Sequence, residues 1–168
     1  NLVEATQNQD AFVEVAGMMK ACAANLIKVG NDLRLLSSGP VAGFGEIRLP
    51  PLQEGSSIMP GKVNPIMPEM AVQAGMALYG WESMIAHAVA LGSLELNAFL
   101  PLVAWAMLNG LDLLDRVCER LAVRCVEGIE PNRERCRELA DRSFGVATAL
   151  VPALGHDRAS QLVQRAAE

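Results

Sequence analysis

Ser56 and Ser57 stand side by side just ahead of Lys62 and Asn64 in the stretch GSSIMPGKVNP, residues 55–65. Together they offer two hydroxyls, one point positive charge and one amide donor. Gly55 and Gly61 permit backbone N–H groups to turn inward, so a loop of this composition can converge donors on a small anion. Pro60 and Pro65 stiffen it and lower the cost of ordering it around a ligand. A serine set among such donors has a second capacity, because the field that holds an anion also stabilises its own alkoxide. The plainer alternative is a structural crossover whose polar residues cap helices.

The stretch superficially resembles a nucleotide phosphate loop. That motif needs four residues between its first glycine and the Gly-Lys pair, then Ser or Thr for magnesium. Here five residues separate Gly55 from Gly61, and Val63 follows the lysine. No apolar strand precedes it. Spacing, metal ligand and context all exclude that reading.

The elements around the loop read as helices. From Asp10 to Leu36, apolar residues recur at helical spacing through Phe12, Val15, Met19, Cys22, Leu26, Val29, Leu33 and Leu36. Between Ser37 and Pro68 the pattern stops, and six of nine prolines and five of fourteen glycines fall there. Loops of that length inside a helical domain are commonly functional. Helical spacing resumes over about 69–91, then again from about 96 or 101 to 127, with Gly92 and Ser93 as a break. The stretch EGIEPN turns the chain, Pro131 opens a charged helix over about 133–142, and shorter helices follow near 144–151 and 157–167. The shift to charge-rich helices suggests a domain boundary near residue 129.

Half the residues are apolar (51%) but only 4% are aromatic, a composition of Ala, Leu, Val and Met that suits packed helices. The expected class is all-α. A net charge of −5 without a basic cluster argues against nucleic acid. Residues 70–111 carry only Glu82 and Glu95 as full charges, but the longest charge-free run, Leu96 to Leu111, is interrupted by Asn97, Pro101 and Asn109. A membrane span needs about 20 mostly apolar residues, so buried bundle helices fit better. Cys22, Cys118, Cys125 and Cys136 form no CxxC pair, and His87 and His156 lie far apart, so no zinc-site spacing exists. Reduced thiols in a cytoplasmic protein follow, with Cys118 and Cys125 on one helical face as packing residues. Met18, Met19, Met67, Met70, Met76 and Met84 read as core filler, and both histidines as packing or surface residues. No cofactor and no metal are expected. The absence of an initial Met and of a signal pattern reads as a fragment of a longer chain.

GSSIMPGKVNP resembles the signature loop of the fumarase/aspartase superfamily. NDLRLLSSGP (31–40), GEIRLP (45–50), LELN (94–97) and, more loosely, GVATALVPALGHDRA (145–159) resemble the same family. Lys62-Val63-Asn64 points to its fumarase and aspartase branch, and NPIMPE is similar to aspartate ammonia-lyases. Val41, Leu100 and Val151 depart from the family pattern.

The resemblance implies a long-helix bundle in which four subunits pack their central helices. Residues 1–129 would be the latter part of the central domain, with the signature loop at 54–65, and 130–168 the start of a small helical C-terminal domain. It implies reversible anti elimination from L-aspartate to give fumarate, with class II fumarase and a non-catalytic helical scaffold as alternatives. By resemblance Ser56 is the base, activated by loop closure. Ser57, Lys62 and Asn64 bind the dicarboxylate substrate, Gly55 supports the loop, and Glu69 pairs with Lys62. The family's active-site histidine and leaving-group contacts would lie upstream of Asn1. The fragment alone is expected to be inactive and to associate through residues 70–111, with residues 54–64 mobile.

Overall fold

The computed structural model describes residues 1–53 and 55–167. A short helix α1 (Leu2–Gln7) leads into α2 (Asp10–Leu36), and a long crossover carries strand β1 (Ile47–Arg48) and the serine loop. Helices α3 (Ile66–Ala90) and α4 (Leu100–Arg124) follow, then a 3-10 turn (Val126–Gly128) and strand β2 (Glu130–Pro131). The chain ends in α5 (Arg133–Asp141), a 3-10 segment (Phe144–Leu150), α6 (Val151–Leu154) and α7 (His156–Ala167). The fold is helical as expected, and the two short strands pair antiparallel, Ile47 opposite Pro131 and Arg48 opposite Glu130. No helix among the described residues is long and apolar enough to cross a membrane.

Helices α2, α3 and α4 run antiparallel in succession, and small residues set how closely they pack. A Cβ on Gly30 would lie 2.8 Å from Val72 Cγ2 and 2.9 Å from the Pro68 carbonyl, and one on Gly75 would lie 2.5 Å from Ile27 Cγ1. Gly110 makes the matching approach in α4, where a Cβ would meet Met19 Cε at 2.4 Å. One core cluster joins Ala16, Met19 and Ala23 to Leu78, Ile85, Val103 and Ala106. A second, nearer the serine loop, gathers Ala71, Ala74, Val117, Leu121 and Cys125.

This packing decides which face of α2 is inside. Ala16, Met19, Ala23 and Gly30 are buried, whereas Phe12, Val15 and Val29 of the expected stripe are exposed. Close helix contact selects the small side chains and turns the larger ones outward. The methionines divide likewise: Met19 is buried and Met67, Met70 and Met84 pack at the cluster edges, but Met18 and Met76 are exposed. Cys125 is buried in the core while Cys118 is exposed, so only one of that pair is a packing residue.

Helix α3 starts two residues before Pro68, which thus lies in its first turn, where a missing N–H costs nothing. Pro101, the second residue of α4, likewise lies in the first turn of its helix. Between them, buried Asn97 locks the turn. Its amide donates to the Ala88 and Val89 carbonyls at 3.1 and 3.2 Å, and its Oδ1 accepts from Phe99 N–H at 2.8 Å. One residue thereby caps the end of α3 and the entry to α4.

Candidate active site

The serine loop is closed at its neck by main-chain and amide bonds. Gly55 N–H donates to the Lys62 carbonyl at 2.7 Å, and Asn64 Nδ2 donates to the Gly55 carbonyl at 3.1 Å. Gly55 is required there, since a Cβ would lie 2.6 Å from Lys62 O. Gly61 turns the far end with φ +78°, a left-handed conformation that favours glycine. Lys62 N–H donates back to the Met59 carbonyl at 3.3 Å, so residues 59–62 form a tight turn.

Ser56 follows the loop neck and leads into this turn. Its Oγ accepts from the N–H groups of Ile58 and Met59, both at 3.1 Å, and the residue is half-buried. Two fixed donors aimed at one hydroxyl oxygen favour its deprotonated form, the same arrangement that stabilises oxyanions. Those two backbone groups are functional candidates that side-chain reading does not reveal. Ser57, Ile58, Met59 and Lys62 are exposed, so the outer surface of the loop is free to meet a ligand or another chain.

The expected residues are thus only partly assembled. Ser56, Lys62 and Asn64 share one closed turn, with Ser57 on its surface. Asn64 spends one amide hydrogen on the loop neck. The expected Lys62–Glu69 pair is not formed in this chain: among the described residues neither joins an ion pair. Lys62 lies on the exposed turn, while Glu69 in the first turn of α3 faces a groove of about 770 Å³ between α3 and α4, whose walls include Gln73, Arg116 and Arg120. The N-terminus of α3 begins directly after Pro65, and its partial positive charge adds to the field at the loop neck.

Both histidines lie outside the loop. His87 is an exposed residue of α3 with Nδ1 2.6 Å from the Ser83 carbonyl, and His156 is exposed at the start of α7. No group of three or more metal-ligating side chains comes together among the described residues.

A lyase family profile matches residues 1–80. The aspartate ammonia-lyase of Helicobacter pylori is 46% identical over 99% of this chain and 36% of its own length. The class II fumarate hydratase of Corynebacterium efficiens is 43% identical over 99% of this chain and 35% of its own length. Among solved structures, a fumarate lyase:delta crystallin of Brucella melitensis is 50% identical, with a TM-score of 0.90 over 99% of this chain and 39% of that one. The chain spans about a third of the length of the curated relatives it matches. With the serine loop closed as described and this degree of identity along its whole length, the chain belongs to the fumarase/aspartase superfamily.

Proposed function

We propose that this chain is the base-bearing segment of a longer ammonia-lyase that eliminates ammonia from L-aspartate in the anti sense, giving fumarate. The observation that carries the reading is the pair of N–H donors on Ser56 Oγ. A free serine hydroxyl is far too weak a base at neutral pH. Held by two main-chain donors in a loop that also carries Lys62 and leads into a helix N-terminus, its alkoxide becomes accessible once a closing loop excludes water.

Ser56 removes the proton on the carbon next to the substrate carboxylate. The resulting aci-carboxylate carries extra negative charge, which Lys62 and Asn64 stabilise as it grows, so their contribution is larger in the transition state than in the ground state. Ser57 donates a hydrogen bond to the substrate, Glu69 orients Lys62 when the loop closes, and ammonia leaves from the neighbouring carbon as the double bond forms.

Residues 1–129 belong to the central bundle and 130–168 open a C-terminal domain. A homotetramer is supported by exposed Met18, Met76, Trp105 and Leu108 on the long helices, since apolar surface of that extent usually finds a partner. Four free cysteines support a cytoplasmic setting.

A second reading, malate dehydration by a class II fumarase, is supported by the Corynebacterium relative, whose identity is close to that of the aspartate ammonia-lyase. The loop serves either reaction, because it acts on the proton and not on the leaving group. Following fumarate absorbance with the full-length protein, supplied separately with L-aspartate and L-malate, decides between them. Turnover of neither would favour a non-catalytic scaffold.

A further inference from the structure

We propose that Arg135, together with Asn132, is a positioning residue for the Ser56 loop, acting through the backbone of residues 43–50. The inference rests on that loop being the base-bearing element. Four consecutive carbonyls ahead of the loop are received by the start of α5. Arg135 donates from Nη2 to Gly43 O at 3.3 Å and from Nε to Phe44 O at 2.9 Å. Asn132 donates from Nδ2 to Gly45 O at 3.0 Å and from its backbone N–H to Glu46 O at 2.8 Å.

The next residues are fixed in turn. Ile47 and Arg48 pair with Glu130 and Pro131, Leu49 packs on the second core cluster, and Pro50 fills the space beside Gly128, where a Cβ would lie 2.5 Å from its Cγ. Gly55, the first residue of the loop neck, follows shortly after Pro50. One stem of the loop is therefore the rigid N-terminus of α3, and the other is a segment whose position is set by residues 128–135. The Arg135 guanidinium is suited to this, because its planar fork reaches two carbonyls while Nη1 is held by Glu138 at 2.7 Å. Residues some 90 positions apart in sequence thus determine where Gly55, and with it Ser56, is presented.

The test compares Arg135→Ala, Arg135→Lys and Arg142→Ala in the full-length protein. Arg142 also pairs with Glu138 but, among the described residues, donates to no carbonyl of the crossover, so its loss controls for charge alone. Amide exchange over residues 55–64 is read by mass spectrometry beside kcat and KM. Arg135→Ala is expected to accelerate exchange at Gly55 and Lys62 and to lower kcat/KM about tenfold or more, the scale on which small misplacements act. Arg135→Lys should fall nearer the alanine variant than wild type, because a point charge cannot serve both carbonyls, and Arg142→Ala should match wild type in both readouts. If Arg135→Ala does not fold, Arg135→Lys decides. Unchanged exchange over 55–64 in the Arg135 variants, or an equal effect from Arg142→Ala, overturns the proposal. Accelerated exchange in a protein that turns over neither aspartate nor malate would leave the positioning role standing and remove the lyase reading.

Discussion

Ser56 differs from its neighbour Ser57 in what surrounds the oxygen, and the proposed division of roles between them rests on that difference. Ser56 Oγ receives two main-chain N–H groups, whereas Ser57 is exposed on the surface of the turn. Lys62→Ala should damage both substrate binding and turnover, because it removes charge felt by the bound substrate and felt more strongly by the transition state; a raised KM with kcat unchanged would place Lys62 in uniform binding only. The thiols make a separate prediction. Cys118 is exposed as a residue, but partial desolvation of its thiol, then the Cys22 thiolate and then the Asp115 carboxylate, push that thiol above its ordinary range. Its alkylation in this chain should thus require higher pH than a free cysteine peptide, and Asp115→Asn should move the rate profile back toward lower pH, as followed by mass spectrometry. These residues were legible as chemistry in the sequence because loop glycines, prolines and polar groups are local signals. The N–H donors of Ile58 and Met59 were not, since any residue type supplies a backbone amide.

At the scale of the element, helix periodicity gave the long helices to within a few residues, and the Pro- and Gly-rich crossover was visible as a break. The inward face of α2 was not legible in the apolar stripe, because large apolar residues are the stronger sequence signal, while the packed seam is built mostly from Ala and Gly. Gly30→Ala tests that seam. The new methyl would meet Val72 Cγ2 and the Pro68 carbonyl, so a net loss of about 1–2 kcal/mol is expected in urea unfolding despite the better helix propensity. Asn97→Ala strips partners from the Ala88 and Val89 carbonyls and from the Phe99 N–H, for an expected loss of about 3 kcal/mol. The contact of Arg135 with the crossover left no trace in the sequence, because a side chain that binds distant carbonyls imposes no requirement on their residue types.

At the scale of the whole molecule, the long helices leave Met18, Met76, Trp105 and Leu108 in solvent while the second core cluster packs Leu49 and Met67, which flank the loop in sequence. Sedimentation of the 168-residue chain should show association through these faces, and a well-behaved monomer would contradict the proposed assembly. The chain by itself should produce no fumarate, because catalysis of this kind depends on positioning by segments that its longer relatives carry. The central claim concerns one hydroxyl, and comparing Ser56→Ala with Ser57→Ala in the full-length protein tests it most directly. Fumarate production and substrate affinity are measured for each. Ser56→Ala should lose turnover by about a thousandfold or more while still binding substrate, since it removes the base and leaves the anion donors in place. Substantial turnover in Ser56→Ala, or a larger loss in Ser57→Ala, would contradict the assignment of Ser56 as the base.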